Sequence, residues 1–233
     1  HYLSTNHILM IGMIVTFILT FFLLEHPFSF LPSDQGRAFA VNGSLSKGKL
    51  RGVGFIFVLC FLISSVLFLP IDVEYVIYAI LLFAMMISGY LDDASKTPWN
   101  EYKKGLIDLV ISVVAVLTYM NFNSTTICFG ADEIVIPKAL FLILGVILIW
   151  VSVNVTNCTD GVDGLCASLC SVTLLAFGVL FAPILQKYAM ANFLFLSVLF
   201  AYLYFNSSPS SMLMGDAGSR ALGFYIAVIA LKS

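Results

Sequence analysis

Charged side chains are scarce in this sequence. Only 10% of its 233 residues are Asp, Glu, Lys or Arg, whereas 61% are hydrophobic, and the mean hydropathy is +1.03. Soluble globular domains carry about a quarter of charged residues, so the composition excludes that class. Apolar runs separated by short polar gaps are typical of a polytopic membrane protein.

Other features that the sequence lacks narrow the class further. Its five cysteines form no Cys-x-x-Cys pair and no metal-type spacing with histidine, which argues against a zinc site or a disulfide framework. The first apolar run is not followed by a small-residue cleavage pattern, so we expect no cleavable signal peptide. No repeat, linker or second domain is visible, and we expect residues 1–233 to form a single transmembrane domain.

Eight apolar segments predict an all-α integral membrane fold with about eight transmembrane helices. Several are shorter than the roughly 20 residues of a usual crossing, so we expect their polar ends to remain helical at headgroup depth. The gap at 121–137 has β-branched residues around a Gly-Ala-Asp turn and predicts a small extracytoplasmic β-hairpin. The segments are 8–24, 53–69, 73–91, 105–121, 138–154, 165–182, 189–205 and 219–231.

Lysine and arginine are divided unequally between alternate gaps. Eight of the eleven fall in gaps on one side and three on the other. Since cytoplasmic loops carry the excess of Lys and Arg, the side with eight is predicted to be cytoplasmic and the N-terminus to be outside. The eight are Arg37, Lys47, Lys49, Arg51, Lys96, Lys103, Lys104 and Arg220, and the three are Lys138, Lys187 and Lys232.

Acidic and amide side chains collect in the same gaps. Asp92 and Asp93 end one apolar run, and Asp216 lies in the segment MGDAGS before the last run. A chain with so few charges that places carboxylates beside glycines at one membrane face indicates a metal and phosphate site. Between the fifth and sixth runs, NVTNCTDGVDG adds Asn154, Asn157, Asp160 and Asp163.

The acidic motifs allow a functional and a structural interpretation. Adjacent side chains on a helix point about 100° apart, so one carboxylate of the Asp92–Asp93 pair could bind a metal while the other handles a proton or orients Lys96. Alternatively, Asp93 only pairs with Lys96. The four polar residues of NVTNCTDGVDG repeat every three positions and could line one side of a helix end, where they suit a nucleotide or Mg²⁺, although such residues also favour plain turns.

The last motif and the lysines are open in the same way. Gly215 leaves backbone N–H groups accessible at the start of the last helix, and helix N-termini are suited to bind phosphate. Asp216 could supply an oxygen ligand to a metal, or it could merely cap the helix. The basic residues of these gaps either bind substrate phosphates or contact anionic lipid headgroups at the membrane surface. Asp108, one turn beyond Lys104, is expected to be its ion-pair partner.

Taken in order, LDDASK, NVTNCTDGVDGL and FNSSPSSMLMGDAGSRALG resemble the polyprenyl-phosphate N-acetylhexosamine-1-phosphate transferase superfamily, and within it the phospho-N-acetylmuramoyl-pentapeptide transferases (MraY type). The match runs from about Arg37 to Gly223. It implies Mg²⁺-dependent transfer of phospho-MurNAc-pentapeptide from UDP-MurNAc-pentapeptide to undecaprenyl phosphate, giving lipid I and UMP in the first membrane step of peptidoglycan synthesis. It also implies a homodimer in the bacterial cytoplasmic membrane, with the active site on the cytoplasmic face and no nucleic acid partner.

The resemblance also assigns roles to single residues. Asp92, Asp93 and Asp216 are the implied catalytic carboxylates, and Asp216 is the implied Mg²⁺ ligand, with Asp92 or Asp93 as an alternative further ligand. Lys103 aligns best with a site lysine that follows the Asp-Asp pair in the family, and Lys104, one residue further on, is the alternative. The implied nucleotide- and substrate-binding residues are Lys47, Lys96, Lys103, Lys104, Asn154, Asn157, Asp160, Asp163, Asn206 and Gly215.

The sequence departs from the family pattern in its first loop and toward its end. It reads KLRGVG where the family usually has a TPTMGG-like stretch, which affects the assignment of Lys47. The family has ten membrane helices and a histidine cluster in a later cytoplasmic loop, and neither the last helices nor that cluster is found here. We therefore expect the C-terminal part to be absent from the given sequence.

Two other functions are compatible with these features. Sister enzymes of the WecA or TarO type transfer GlcNAc-1-phosphate from UDP-GlcNAc to undecaprenyl phosphate; Thr159 before Asp160 favours the muramoyl type over them. An ion-coupled transporter could place acidic residues on helices, but here the carboxylates gather at one face and no inverted repeat is visible.

Overall fold

The computed structural model describes residues 4–26, 28–34, 36, 46–129 and 132–233, so Arg37 lies outside the described residues. The described residues form eight α-helices, with one pair of strands between the fourth and the fifth. The elements are α1 (Thr5–Glu25), α2 (Gly54–Phe68), α3 (Val73–Asp93), α4 (Glu101–Phe122), β1 (Thr126–Phe129), β2 (Asp132–Val135), α5 (Lys138–Thr159), α6 (Leu165–Phe181), α7 (Gln186–Asn206) and α8 (Gly215–Lys232).

Every predicted apolar segment is a helix, which confirms the all-α membrane fold. In the described part of the chain, five helices are long and apolar enough to cross a membrane, namely α1, α3, α4, α5 and α7, while α2 and α6 are apolar but shorter. As expected, polar ends stay helical: α3 runs on to Asp93, α4 begins at Glu101 and α5 ends at Thr159. The predicted hairpin is also confirmed, with β1 antiparallel to β2 and Thr126 opposite Val135.

Helix α8 is the centre of the bundle. It packs against α3 and α5 and also touches α2 and α6, and nearly all of its residues are buried. Helices in a bilayer gain little from hydrophobicity and pack closely through small residues. Gly89 of α3 is such a residue, because a Cβ atom there would lie 2.3 Å from the carbonyl oxygen of Asp216. This contact brings the end of α3 to the start of α8.

Local capping fixes where α3 and α4 begin. The carboxylate of Asp72 accepts from the N–H of Tyr75 at 2.8 Å, and the amide oxygen of Asn100 accepts from the N–H of Tyr102 at 3.0 Å. Asp and Asn are preferred N-cap residues for this reason. The Asn100 cap places Lys104 at the beginning of α4, beside the end of α3.

Residues 46–53 run alongside the segment that leads into α8. The N–H of Leu213 donates to the carbonyl of Leu50 at 2.8 Å, and the N–H of Val53 donates to the carbonyl of Leu213 at 3.2 Å. This pairing carries the basic side chains of the first polar loop, Lys49 and Arg51, to the start of α8.

Candidate functional site

Charged side chains converge where α3 ends and where α4 and α8 begin. Asp92, Asp93 and Asp216, the three carboxylates predicted to act together, lie within this cluster. Arg51 and Lys104 connect them, since each of these cations contacts two of the three carboxylates. We call these five residues the charged cluster.

Asp93 caps helix α8 from outside that helix. Its Oδ1 accepts from the N–H of Asp216 at 3.1 Å and its Oδ2 from the N–H of Ala217 at 3.0 Å, while the N-cap residue Met214 offers no side-chain bond. A carboxylate at a helix N-terminus satisfies unpaired N–H groups and the helix dipole. Asp216 is therefore not the N-cap, and its carboxylate remains available to the cluster.

The same contact explains Gly215. Its φ is +66°, and a Cβ atom at this position would lie 2.3 Å from Oδ2 of Asp93. Only glycine adopts this backbone conformation and leaves the space that the carboxylate fills. Asp93 pairs with Arg51 at 2.8 Å instead of with Lys96, which is exposed.

Asp92 and Asp216 share a cation. Oδ1 of Asp92 accepts from the N–H of Trp99 at 2.6 Å, and its Oδ2 lies 2.6 Å from Nζ of Lys104. The same Nζ lies 3.2 Å from Oδ2 of Asp216. Lys103, which the resemblance favours for the site, is directed elsewhere, with its Nζ 3.3 Å from the centroid of the Trp99 ring. The fold instead brings Lys104, the alternative, into the cluster.

Arg51 faces three carboxylates. Its guanidinium lies 2.8 Å from Asp93, 3.4 Å from Asp216 and 3.3 Å from Asp34. Burial alone lowers the pKa of Arg51, but the charges of Asp93, Asp216 and Asp34 outweigh it and raise the pKa above its ordinary value. Sequence reasoning named Arg51 only as a general phosphate clamp and missed Asp34, which is buried and accepts from the hydroxyl of Ser46 at 2.6 Å.

The cluster and Asp34 together carry four carboxylates and two cations, so their formal charge is negative. Mg²⁺ prefers such hard oxygen ligands and usually takes one or two carboxylates together with phosphates and water. The Lys104 ammonium between Asp92 and Asp216 shows that these two carboxylates can hold a cation jointly. No set of three or more His, Cys, Asp or Glu side chains arranged to hold a metal occurs among the described residues. The two carboxylates therefore fit Mg²⁺ only with oxygens of substrate or water as further ligands.

A second polar group lies beside the cluster, where the loop after α5 meets the loop after α7. Asp163 accepts from both the N–H of Ser210 at 3.0 Å and its hydroxyl at 2.8 Å. Lys49 donates to the same hydroxyl at 2.9 Å. Lys47 is exposed in a turn, so Lys49 is the first-loop lysine with a contact in this group.

Asn206 holds the two loops together. It is buried; its Oδ1 accepts from the N–H of Gly164 at 3.0 Å and its Nδ2 donates to the carbonyl of Met212 at 3.0 Å. Asn206, which the resemblance implies to be a nucleotide- or substrate-binding residue, thus fixes the backbone of the loop that carries Asp163 and of the loop after α7.

The side chains of the NVTNCTDGVDG motif turn to different neighbours. Asn157 accepts from the hydroxyl of Ser219 on α8 at 2.7 Å, whereas Asn154 is exposed and donates to the carbonyl of Trp150 at 2.7 Å. Both asparagines line a cavity of about 280 Å³ between α4, α5 and α8.

Asp160 is the buried C-cap residue of α5, near Cys170 of α6. The four residues therefore do not line one side.

The expected pairing of Lys104 with Asp108 is wrong. Asp108 pairs instead with Arg220 of α8, whose Nη2 donates to Oδ1 at 2.5 Å. From the sequence, Arg220 was only one of the basic residues that predict which side is cytoplasmic. The order of residues along the chain does not indicate that side chains of α4 and α8 come into contact.

The other end of the bundle carries a separate set of charges. Lys232 lies 3.0 Å from Glu74, and Lys187 pairs with Asp72. The sequence predicted that Lys187 and Lys232 lie on the side opposite to the clustered carboxylates, and the structure separates the two groups in this way.

Fold and site define a multi-pass membrane protein with a charged site at one end of its helix bundle. The profile of the family described as "Glycosyl transferase family 4" matches residues 75–233. A phospho-N-acetylmuramoyl-pentapeptide-transferase of Treponema pallidum is 35% identical over 96% of this chain and 68% of its own. Enzymes of that name from Dictyoglomus turgidum (26% identical, 97% of this chain, 74% of the relative) and Halalkalibacterium halodurans (29%, 98%, 76%) are also similar. The chain belongs to glycosyl transferase family 4 and, within it, to the family of the phospho-N-acetylmuramoyl-pentapeptide-transferases.

Proposed function

We propose that this protein transfers phospho-MurNAc-pentapeptide from UDP-MurNAc-pentapeptide to undecaprenyl phosphate, producing lipid I and UMP. The observation that carries the proposal is the convergence of Asp92, Asp93 and Asp216, from distant parts of the chain, around Lys104 and Arg51. The names of the relatives support the muramoyl donor, and no contact among the described residues favours UDP-GlcNAc or transport.

The reaction brings two anionic phosphates together, so the site must neutralise charge and align the reacting groups. In our proposal an oxygen of the lipid phosphate attacks the β-phosphorus of the donor, the bond from that phosphorus to the bridging oxygen breaks, and UMP leaves. Lys104 and Arg51 are the cations of this cluster that can offset the phosphate charges. A competing scheme passes through a phospho-sugar on an aspartate.

The two adjacent aspartates have different roles in this proposal. Both oxygens of Asp93 are engaged by N–H groups of α8, and Arg51 adds a third contact, so Asp93 acts as a positioning residue. Asp92 shares its Oδ2 contact, Lys104, with Asp216, and we assign it the task of positioning or deprotonating the lipid phosphate. Exchange of labelled UMP into the donor without lipid acceptor would exclude the one-step reaction.

We further propose that the enzyme depends on Mg²⁺, held by Asp216 with Asp92 as a second carboxylate. When bound, the ion would supply Lewis-acid stabilisation of charge on the donor diphosphate. The chemistry of the two carboxylates supports this assignment, and Lys104 would then move toward the substrate phosphates. Titrating activity against free Mg²⁺ after chelation should show that Asp216→Asn requires a higher metal concentration than the unmodified protein.

The second polar group is proposed to bind the nucleoside. Asp163 and Lys49 offer an acceptor and a donor at its surface, and Asn206 keeps the two loops in register. The excess of Lys and Arg at the site end supports a cytoplasmic location of the site and an outside N-terminus. A homodimer is implied by the resemblance alone, and the mass of the purified detergent complex would test it.

A direct assay tests the proposed reaction. The complete gene product in detergent should release UMP when it receives UDP-MurNAc-pentapeptide and undecaprenyl phosphate together, and should form a lipid-soluble product in equal amount. UDP-GlcNAc should give no more than background release. Turnover with UDP-GlcNAc alone would contradict the muramoyl assignment while preserving the transferase class.

A further inference from the structure

The Asp108–Arg220 pair forms a second bridge between α4 and α8. The first bridge, Lys104 to Asp216, lies one helical turn nearer the helix starts, and the signs of the charges are exchanged between the two bridges. Arg220 is 2% exposed and Asp108 is 3% exposed. A fully buried ion pair is costly to desolvate and is poor support for stability by itself, so its place beside the charged cluster calls for another explanation.

The guanidinium of Arg220 is only partly satisfied. It has five N–H donors, and Asp108 receives a bond from Nη2. Nη1 is buried and has no hydrogen-bond partner among the described residues. Buried polar groups without partners are rare in native proteins, because each costs the free energy of its lost hydration. The unpaired donor therefore indicates an acceptor that joins the site.

Space for such an acceptor lies next to Arg220. Arg220 lines the 280 Å³ cavity between α4, α5 and α8. The volume of this cavity is several times the roughly 30 Å³ that one water molecule occupies in the liquid. Lys104 also lines it, so the cavity borders the charged cluster. The polar lining residues are Glu101, Lys104, Asp108, Asn154, Asn157 and Arg220.

We propose that Arg220, oriented by Asp108, binds a phosphate oxygen of a substrate in this cavity. Arginine is suited to this role because its planar fork donates to two oxygens of one phosphate. The proposal rests on the proposed function, which supplies two phosphate-bearing ligands, the lipid acceptor and the nucleotide diphosphate. Asp108 acts as a positioning residue that holds one side of the guanidinium and leaves the other side for the ligand.

The test must separate binding from a purely structural role. Removing one member of a buried pair leaves an uncompensated charge, whereas replacing both with apolar residues is often neutral for stability. The informative variant is therefore Asp108→Leu with Arg220→Leu in the complete gene product. Asp72→Asn with Lys187→Gln, a charge pair at the opposite end of the bundle, is the matched control. Arg220→Lys, which keeps the charge but removes the fork, is the second variant if the double variant fails to fold.

Two measurements are made on each protein. The first is the rise in melting temperature caused by a short-chain polyprenyl phosphate or by UDP, which reports binding without turnover. The second is KM for each substrate in the UMP-release assay. In the double variant Asp108→Leu with Arg220→Leu, or in Arg220→Lys, we expect one of the two probes to cause no rise in melting temperature. The KM of the corresponding substrate should be about 10-fold higher or more. The control pair should change neither, and the affected probe identifies which phosphate Arg220 binds.

The outcomes distinguish this inference from the proposed reaction. If the variants keep both melting-temperature rises and both KM values, or if the unmodified protein binds neither probe, the phosphate role of Arg220 is overturned. If the unmodified protein binds a probe through Arg220 but releases no UMP, the inference stands and the proposed reaction fails.

Discussion

Lys103 and Lys104 are identical neighbours in the sequence, yet the first turn of α4 directs them to different surroundings. Lys104 bridges Asp92 and Asp216, whereas Lys103 lies over the ring of Trp99. Charge-assisted hydrogen bonds contribute about 1.5–3 kcal/mol, so Lys104→Gln should lower kcat for UMP release by about 10- to 100-fold. Lys103→Gln is the matched control and should stay within about threefold. Equal losses in both variants would contradict the placement of Lys104.

The aspartate pair offers a second contrast at this scale. Asp93→Asn places an amide N–H₂ against N–H groups of α8 and Arg51, which already donate. We expect a loss of roughly 1–3 kcal/mol in the free energy of unfolding, seen as a lower melting temperature together with lost activity. Asp92→Asn should instead lower kcat by a larger factor than it raises the donor KM. Unchanged turnover in Asp92→Asn would remove this residue from the chemistry.

Sequence patterns predict the carboxylates of the charged cluster but not their partners. Asp92, Asp93 and Asp216 were predicted because acidic residues beside glycines are unusual in an apolar chain. The capping of α8 by Asp93, the contact of Arg51 with Asp34 and the pairing of Asp108 with Arg220 depend on which helices are adjacent. Local spacing carries no information about adjacency, so it paired Asp108 with Lys104 instead.

At the scale of helices, Gly89 sets the approach of α3 to α8. A methyl group at this position would meet the backbone of Asp216 at 2.3 Å, and backbone atoms cannot move aside as a side chain does. Gly89→Ala should therefore lower the melting temperature markedly and reduce activity, because it displaces Asp216 from the end of α3. Gly105→Ala on α4 meets no atom within 4 Å and should stabilise the helix by up to about 1 kcal/mol. The check is a thermal unfolding series in one detergent, and similar melting temperatures for both variants would contradict this packing.

Helix positions were predictable, while helix arrangement was not. The positions of the apolar runs indicate the eight helices, and the β-branched residues around a Gly-Ala-Asp turn indicate the hairpin. In the sequence, α8 is an apolar segment with no feature that marks it as central. In the structure, α3 and α5 pack around it. Its central position follows from shape matching between small residues, which a hydropathy pattern does not contain.

On the scale of the whole molecule, the fold separates charges into two ends. The charged cluster, Lys49 and Asp163 lie at one end, and the pairs of Glu74 with Lys232 and of Asp72 with Lys187 lie at the other. The sequence predicted this separation from the alternation of Lys- and Arg-rich gaps. Which end faces the cytoplasm is a proposal from the charge bias, and it determines whether a cytoplasmic nucleotide donor can reach the site.

Cysteine accessibility tests that orientation. Among the described cysteines, Cys158 is exposed, and it lies near the end of α5 at the site end, whereas Cys60, Cys166 and Cys170 are buried. With Cys128 replaced by Ser, a membrane-impermeant maleimide should label Cys158 in inverted vesicles but not in intact cells.

The matched protein carries Cys158→Ser and Ser124→Cys in the same background. Residue 124 is exposed between α4 and β1, at the end away from the charged cluster, so its labelling should follow the opposite pattern. Labelling of Cys158 from outside intact cells would place the cluster on the outer face. A donor confined to the cytoplasm could not reach it there, so that result would refute the proposed reaction along with the orientation.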